Sequence, residues 1–274
     1  MDSSLYPIER LYEAIRDDEA KAARNKGGSS RRIRASEAGN CARQIFYRIS
    51  GHRAAPRSST SVMLGVGGDA DHDVTRQMLG HYGIEVRKVS HNEDGSVDEL
   101  LMDAVEFDCE LPDGTTERVT FSSRADGEID VPEGVALLEI KGMSYWPFKY
   151  LKDAVKKGPE ATLAHLHKKH RRYLYQVEIT MRIFGYDRVY FVFKDRSFGT
   201  LLGHLYERDD ELWAQIRREM GLVWKAVREG EPPRPLIEGS SDCSWCPYHY
   251  LCHGAMKREQ QGKEPAVLYP ERGE

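Results

Sequence analysis

The feature that most constrains this 274-residue chain is a short apolar run that ends in an acid and a base, Leu137–Lys141 (LLEIK). On a β-strand, residues two apart point to the same face of the sheet. Glu139 and Lys141 are therefore predicted to lie side by side, while Ile140 faces the core. A further acid, Asp126, lies thirteen residues before Glu139. Two carboxylates and an amine on adjacent strands can hold a divalent cation beside an activated water, which is chemistry that cleaves a phosphodiester bond.

The composition is that of a globular protein, with 40% hydrophobic residues, 31% charged residues and a net charge of −4. This net charge does not indicate a nucleic-acid partner, but a local basic patch attracts phosphates whatever the overall balance. Basic residues do cluster, in Arg31–Arg34, Lys149–Lys157 and Lys168–Arg172. Such clusters are also typical of solvated surfaces, so both interpretations stay open.

The N-terminal residues are acidic and polar, and we find neither a secretory signal nor an apolar run of transmembrane length. We therefore expect a cytoplasmic protein with no membrane partner. Five cysteines in such a chain favour metal binding over disulfides, above all where they cluster.

Hydrophobic periodicity predicts alternating blocks of helices and strands. The predicted helices span 5–24, 36–49 (with Ser36 as the N-cap), 70–79, 147–157, 159–184 and 208–228. The predicted strands span 84–89, 105–110, 117–122, 135–141, 188–194 and 199–206. This order indicates a mixed α/β core. We place the core at 61–230, with a helical segment at 1–60 and a cysteine-rich segment at 231–274 as additions to it.

The cysteine-rich segment has the spacing C-x2-C-x5-C over Cys243, Cys246 and Cys252. A tetrahedral metal site or an iron–sulfur cluster usually takes four ligands. Cys41 is the natural fourth, about two hundred residues earlier in the chain. Cys109 is the other candidate, although its strand-like surroundings are more typical of a small packing residue.

Zinc competes with iron–sulfur for these cysteines. His249 and His253 flank Cys252 and can complete a local zinc site that does not need Cys41. An iron–sulfur cluster that includes Cys41 would instead join the N-terminal and C-terminal segments and remove loop entropy from the unfolded chain.

Taken together, three motifs resemble a known family: Cys41 within 36–47, the terminal cysteines, and the D…E-x-K pattern. They resemble the iron–sulfur branch of the PD-(D/E)XK nucleases, which includes CRISPR-associated and phage exonucleases of the RecB nuclease superfamily and the nuclease domain of AddB. The resemblance covers roughly residues 31–255. It implies a restriction-endonuclease-like mixed sheet flanked by helices, a 4Fe–4S cluster that joins the terminal segments, and a metal-dependent DNA exonuclease.

Further motifs extend the resemblance. The family carries G-x-x-x-H on a helix before the sheet, and Gly68–His72 matches it. It also carries Q-x-x-x-Y on a later helix, where this chain has Gln176 but Thr180 in place of the tyrosine. The family pattern D-G-x-I favours Asp126 as the first acid, although Asp130 and Glu128 lie close enough in sequence to be alternatives.

The resemblance implies that His72, Asp126, Glu139 and the carbonyl of Ile140 bind Mg²⁺ or Mn²⁺, with the histidine favouring Mn²⁺. Lys141 would position or deprotonate the attacking water and stabilise negative charge on the phosphate. Gln176 would orient Lys141 or a water.

DNA would then contact the basic clusters without being read for sequence. The candidate contacts are Arg31, Arg32, Arg34, Lys149, Lys168, Lys169, Arg171 and Arg172. The segment Tyr145–Phe148 can stack on bases or belong to the core. We expect DNA ends or single strands as the substrate, in recombination, repair or phage DNA processing within a bacterial, archaeal or phage-infected cell. Alternatives are a trimmer of CRISPR spacer DNA with an integrase partner, and a non-catalytic DNA-binding module.

Overall fold

The structure is a computed structural model that describes residues 7–25, 31–87, 89–91, 97–99, 103–234, 243 and 245–252. The chain divides into two compact units. The first comprises Met1–Ser30, Asn40–Val62 and Lys225–Glu274, and the second comprises Arg31–Gly39 and Met63–Trp224. The domain bounds expected from the sequence stay a prediction.

The described residues form helices and strands in the mixed order expected of an α/β protein. The helices are α1 (Pro7–Asn25), α2 (Ala42–Ile49), α3 (Ser59–His81), α4 (Tyr145–Val155), α5 (Pro159–Lys169), α6 (Arg171–Phe184) and α7 (Asp210–Glu229). The strands are β1 (Ile33–Arg34), β2 (Val89–His91), β3 (Val97–Glu99), β4 (Asp103–Glu110), β5 (Thr116–Ser123), β6 (Gly127–Val131), β7 (Gly134–Met143), β8 (Arg188–Asp195) and β9 (Leu201–Glu207). No helix among the described residues is both long and apolar enough to cross a membrane.

A four-stranded mixed sheet, in the order β6-β7-β8-β9, forms the centre of the second unit. β7 pairs antiparallel with β6 and parallel with β8, while β8 pairs antiparallel with β9. A parallel pair requires a long crossover, which the helices α4, α5 and α6 supply. Apolar side chains alternate toward the core, so that Ile140 on β7 packs with Ile129, Leu138 and Val192.

A smaller sheet in the same unit, in the order β1-β5-β4, extends the scaffold around the site. β4 and β5 form an antiparallel hairpin whose turn is built on Asp113 and Gly114. The short strand β1 pairs in parallel with β5, placing Ile33 opposite Phe121 and Arg34 opposite Ser122. The basic cluster Arg31–Arg34 is thereby attached to β5, the strand that leads to Asp126.

The mixed α/β class, the hairpin at 105–122 and the strands that carry Glu139 and the aromatic run of β8 are confirmed. The predicted helix at 5–24 is also confirmed for the part that the structure describes, which begins at Pro7. Residues 1–6, 26–30 and Lys88 lie outside the described residues.

The prediction that Ser36 caps a helix is wrong. Ser36 lies in a 3₁₀ turn (Ala35–Glu37), and α2 begins six residues later with Cys41 as its N-cap. The cause is a close approach of two backbones: a Cβ on Gly39 would come within 2.7 Å of the Cα of Arg172. The chain turns there instead of continuing as a helix, and Cys41 therefore lies at a helix start.

Three further boundaries differ from the prediction. The single helix predicted for 159–184 is two helices, because His170 adopts φ −134° and ψ 34° between them. α3 begins at Ser59 and extends through Gly65, Gly67 and Gly68, so local glycine content does not break it. In the predicted strand 84–89, Arg87 makes an isolated bridge to Glu128, and the strand itself begins at Val89.

Candidate active site

The end of β7 carries Glu139 and Lys141 on the face opposite to Ile140, as the strand period predicts. Ile140 is completely buried in the core, whereas Glu139 and Lys141 line a cavity of about 460 Å³. The ammonium nitrogen Nζ of Lys141 lies 2.5 Å from Oε1 of Glu139. The acid and the base therefore form a direct ion pair within the cavity.

Asp126 lies at the turn before β6 and faces the same cavity. Its Oδ2 accepts a 2.6 Å hydrogen bond from the backbone N–H of Ile140, which fixes the carboxylate against β7. Its Oδ1 accepts from Nδ1 of His72 at 3.0 Å and from Nη2 of Arg76 at 3.2 Å. Three groups from two elements, α3 and β7, thus hold one buried carboxylate in place.

Gln176, on α6, bridges the acid and the base. Its side-chain carbonyl oxygen accepts a 2.9 Å hydrogen bond from Nζ of Lys141, and its amide nitrogen donates to Oε1 of Glu139 at 2.8 Å. Lys141 also lies over the ring of Tyr173, 5.2 Å from its centroid. The lysine is therefore held by an amide, a carboxylate and an aromatic face at once.

His72 lies on α3, and residues before and after it on this helix bind groups on or next to the central sheet. Asp71 pairs with Nζ of Lys194 at 2.8 Å and with Nε of Arg196 at 2.7 Å. Arg76 donates from Nε to the carbonyl oxygen of Asp126 at 2.8 Å. Because the Nδ1 of His72 faces Asp126, its Nε2 is the nitrogen that can accept a metal ion.

Burial and charge act in opposite directions on the pKa values of this cluster. Burial raises the pKa of Glu139 to about 7, and the charge of Asp126 adds to this rise against the opposing effect of Lys141. Burial also raises the pKa of Asp126, but the hydrogen bond and charge of His72, with Lys141 and the amide of Ile140, leave it below its usual range. Burial lowers the pKa of Lys141, but Glu139 and Asp126 outweigh this and raise it.

The cavity combines acidic, basic and hydroxyl groups. Its lining residues are Arg32, Arg34, Ala35, Ser36, His72, Ser122, Ser123, Arg124, Asp126, Glu139, Lys141 and Gln176. Oxygen and imidazole ligands of this kind suit Mg²⁺ or Mn²⁺. As the described side chains stand, no group of three or more His, Cys, Asp or Glu is arranged around a single ion position. The two carboxylates are instead paired with His72, Arg76 and Lys141.

The alternative acids lie elsewhere. Asp130 is exposed and forms a two-point ion pair with Arg87, at 2.7 Å for each contact. Glu128 is buried, but it accepts from Arg87 at 3.0 Å and from the hydroxyl of Tyr186. Of the three acids in this segment, Asp126 is the one that lines the cavity.

Sequence reasoning missed three residues of this site, although a signal existed for two of them. Arg76 lies four residues after His72, a spacing that places both on one helix face. Arg124 lies two residues before Asp126, and both line the cavity. Tyr173 had no such signal, because its position beneath Lys141 depends on how α6 packs against β7.

The predicted DNA-contacting residues are placed differently from one another. Arg32 and Arg34 line the cavity, and Arg31 is exposed beside them on the same strand segment. Lys149, Lys168, Lys169, Arg171 and Arg172 are exposed and are not part of the cavity lining. Among these, Arg171 is engaged with Glu219 at 2.6 Å, and Lys149 lies over Trp146.

The four predicted cluster cysteines all belong to the first unit. Cys41 begins α2, while Cys243, Cys246 and Cys252 lie on a segment that packs against it. The rings of Tyr47 and Tyr248 are 5.8 Å apart, and the N–H of Ala55 donates to the carbonyl of Pro247 at 2.8 Å. These contacts bring the two cysteine-bearing segments into one unit.

The thiols of the predicted cluster cysteines affect one another's pKa values. Each of the five cysteines is free. Burial raises the pKa of Cys246, and the nearby Cys252, Cys41 and Cys243 raise it further. Cys109 is completely buried on β4, as expected of a packing residue, and burial raises its pKa to about 12. His253, the predicted zinc alternative, lies outside the described residues.

No protein-family model and no curated protein sequence matches this chain. Among solved structures, it is similar to a protein designated SSO0001 at 14% identity, covering 88% of this chain and 96% of that one, with a TM-score of 0.44. An alkaline exonuclease (LHK-Exo) from Laribacter hongkongensis is similar at 15% identity, covering 78% and 93%, with a TM-score of 0.41. Its complex with dAMP gives 16% identity, coverage of 76% and 91%, and a TM-score of 0.41. At these TM-scores the likenesses decide neither the fold nor the activity, which rest on the geometry above.

Proposed function

We propose that this protein is a metal-dependent deoxyribonuclease of the PD-(D/E)XK type, which hydrolyses phosphodiester bonds at DNA ends. The observation that carries the proposal is the convergence of Asp126, Glu139, Lys141 and Gln176 in one cavity. Such end processing serves recombination, repair or phage DNA replication.

A divalent cation fits the donor set of the cavity. Two buried carboxylates and an imidazole line the cavity, and oxygen and imidazole donors of this kind suit Mg²⁺ or Mn²⁺. We propose that His72, Asp126, Glu139 and the carbonyl of Ile140 hold Mg²⁺ or Mn²⁺. When bound, the ion would lower the pKa of a coordinated water and neutralise charge on the phosphate.

Lys141 is placed to act on the nucleophile and on the phosphate. Its amine lies beside Glu139 and is fixed by Gln176, so it can donate a hydrogen bond to an attacking water without reorganising. The same ammonium can stabilise the negative charge that develops on a phosphate oxygen. Gln176 acts through Lys141 and Glu139 and is a positioning residue.

The cavity is also lined by basic and hydroxyl groups. These are Arg32, Arg34 and Arg124, together with Ser122 and Ser123. Guanidinium groups and hydroxyls are suited to phosphate oxygens and position a strand without reading its sequence. We propose that these groups hold the DNA backbone while the carboxylates and Lys141 carry the chemistry.

The decisive test is cleavage of end-labelled single- and double-stranded DNA with and without Mg²⁺ or Mn²⁺. We expect Lys141→Ala to lower the cleavage rate by at least about 10²-fold while leaving the circular dichroism spectrum unchanged. Lys21→Ala is a matched control, since this lysine is exposed on α1, outside the basic clusters, and lies 3.7 Å from its exposed partner Asp18. Full activity in Lys141→Ala would contradict the proposal. The absence of metal-dependent cleavage by the wild-type chain would contradict it as well.

We also propose that Cys41, Cys243, Cys246 and Cys252 hold a 4Fe–4S cluster as a structural staple. Four thiols in one unit, on two segments that pack together, match the usual ligand set of such a cluster. The cluster would tie residues far apart in the chain and so reduce the entropy of the unfolded state.

Spectroscopy separates this cluster from zinc. A 4Fe–4S protein is brown, bleaches with dithionite and contains iron and sulfide, whereas a zinc protein is colourless and contains stoichiometric zinc. We expect Cys41→Ser to lose the visible absorbance and Cys109→Ala to keep it, because Cys109 is packed on β4. Stoichiometric zinc with no iron in the purified protein would contradict the proposal.

A further inference from the structure

An aromatic cluster lies on the surface of the second unit, at the start of α4 and on the turn between β8 and β9. We call Tyr145, Trp146, Tyr150 and Phe198 the aromatic platform. Trp146 is 58% exposed, Tyr150 57% and Phe198 74%. Burying such rings is favourable by a large margin, so a chain that leaves them together in water has a surface suited to a binding partner.

The rings are arranged as an open array. Trp146 and Tyr150 are four residues apart on α4 and lie nearly parallel, with centroids 6.3 Å apart and planes 30° apart. Tyr145 meets Trp146 edge to face at 5.1 Å and Phe198 edge to face at 5.6 Å. Lys149 lies over the ring of Trp146 at 5.2 Å from its centroid. The platform thus presents π faces with a cation beside them.

The platform is tied to the candidate active site. Tyr145 follows Lys141 by four residues, which span at most about 14 Å of chain. The N–H of Arg196, two residues before Phe198, donates to the carbonyl of Met143 at the end of β7. The side chain of Arg196 also binds Asp71 at 2.7 Å, next to His72. Both sides of the platform are therefore anchored to elements that carry proposed catalytic groups.

The chemistry of the platform favours nucleic acid over protein. The platform combines exposed aromatic rings with a cation that lies over one of them. Every nucleic-acid base has a π face, and stacking on exposed rings tolerates any base. Lys149 supplies the positive charge that an accompanying phosphate requires. Bases inside a duplex are already stacked on each other, so the platform fits unpaired bases.

We propose that the aromatic platform is a stacking site for unpaired bases of single-stranded DNA, a few nucleotides from the bond that the cavity cleaves. The position relative to a cleaved bond rests on the proposed nuclease function, whereas the stacking itself does not. The platform would hold the strand that enters or leaves the cavity and would limit its lateral movement.

Binding is measured on the full chain by fluorescence anisotropy of a short 5′-labelled oligothymidylate, in EDTA to prevent turnover. We expect Trp146→Ala/Tyr150→Ala to weaken the affinity about tenfold or more, because base stacking on one ring contributes about that factor. Both side chains are largely exposed, so folding should be unaffected. Tyr82→Ala is the matched control: this ring is 77% exposed outside the platform, and its loss should leave the affinity unchanged.

Conservative variants separate stacking from simple apolar docking. We expect Trp146→Phe/Tyr150→Phe to keep most of the affinity and Trp146→Leu/Tyr150→Leu to lose it. An alanine or leucine double variant with wild-type affinity would overturn the proposal. A change in sedimentation mass in the alanine variant, with affinity for the oligonucleotide unchanged, would also overturn it and assign the platform to an interface between copies.

Cleavage assays keep this proposal distinct from the proposed nuclease. We expect the alanine double variant to raise KM for a single-stranded substrate with a nearly unchanged kcat. If the wild-type chain binds the oligonucleotide through the platform but cleaves no DNA with any divalent metal, the nuclease proposal fails and the platform stands. If it cleaves DNA while the alanine variant matches it in affinity and KM, the platform fails and the nuclease stands.

Discussion

Two buried carboxylates lie at α6, Glu178 on the helix itself and Glu139 on β7, and Glu139 lines the cavity described above. Gln176 points to the cavity and binds Glu139, whereas Glu178, two residues later, points to the opposite side. Burial raises the pKa of both glutamates. What separates them is how completely their oxygens are used by neighbouring donors.

Glu178 is fully enclosed by hydrogen-bond donors. Its Oε1 accepts from Nε and Nη2 of Arg182 at 3.1 and 3.0 Å, and its Oε2 accepts from the hydroxyl of Tyr206 and the N–H of Asp209, each at 3.1 Å. These groups join α6 to β9 and to the start of α7. A carboxylate with this many partners stabilises the fold.

Glu139 has fewer partners and a second carboxylate nearby. Its Oε1 is bound by Lys141 and Gln176, and Asp126 lines the same cavity. Two acids that share a buried cavity are an unfavourable arrangement for the fold alone. A buried carboxylate is therefore a sign of function when it is incompletely paired beside a cavity, and not because it is buried.

Glu139→Gln should give the largest effect. Because the amide keeps the shape but not the charge that binds a metal ion, we expect cleavage to fall by at least about 10³-fold. The free energy of unfolding should change by less than about 1 kcal/mol, since the substitution also removes a buried charge near Asp126. Rates are measured with saturating Mn²⁺, and unfolding with urea. Activity near that of the wild type would mean that Glu139, like Glu178, has only a structural role.

Glu178→Gln should give the reverse pattern. We expect the free energy of unfolding to fall by about 2–4 kcal/mol, because Arg182 loses the charge of its buried partner. The activity per folded molecule should stay unchanged. Asp210→Asn is the matched control, since Asp210 pairs with the same arginine at 2.6 Å but is 83% exposed, and its loss should destabilise the fold much less than Glu178→Gln. Equal losses in both variants would show that burial contributes nothing to this network.

Local periodicity in the sequence was enough to predict part of the difference between Glu139 and Glu178. The period of two on β7 places Glu139 and Lys141 opposite Ile140 from sequence alone, and the helical character of 171–184 makes Gln176 available on one face. The sequence could not show that Arg182, Tyr206 and Asp209 meet at Glu178, because these contacts depend on the packing of α6 against β9 and α7.

The dependence of structure on packing between distant segments also explains the errors in the predicted helix boundaries. The break at His170 and the turn at Gly39 are set by packing between distant segments, since Gly39 lies directly against the backbone of Arg172. His170 carries no strong local break signal, whereas Gly39 followed by Asn40 is a helix-stop signal that the predicted helix 36–49 did not take into account. Arg32 and Arg34 reach the cavity because β1 pairs with β5, and a two-residue strand is too short for any periodic pattern.

Tyr173 lies near the N-terminal end of α6 and is a further contact that holds Lys141 in position. Its ring lies under the ammonium of Lys141, where a cation–π contact is worth about 0.5–2 kcal/mol. We expect Tyr173→Leu to lower kcat by about 3- to 30-fold, with KM nearly unchanged, and Tyr173→Phe to restore most of it. Equal losses of kcat in both variants would assign the effect to the hydroxyl, and no loss in either would show that Gln176 and Glu139 position Lys141 alone.

His170 should give the smallest effect, and one that appears only with pH. Its ring stacks on Tyr173 at 5.3 Å and lies 5.5 Å from the ring of His165. Burial, with further contributions from His165 and Lys169, lowers the pKa of His170 from 6.5 to about 4. The unfolded chain therefore takes up a proton before the folded chain does. The stability that His170 contributes is complete above pH 6.5 and is lost as the pH falls toward about 4.

His170→Phe keeps the stacked ring and removes the proton site. Because His170 is only partly buried, solvent screening reduces the full effect, and we expect the stability difference between neutral and acidic pH to shrink by about 1 kcal/mol. Urea unfolding at several pH values measures it. His167→Phe is the matched control, since His167 is exposed on α5 and its loss should leave the pH profile unchanged. An unchanged profile in His170→Phe would mean that the loss of stability at acidic pH does not arise from this histidine.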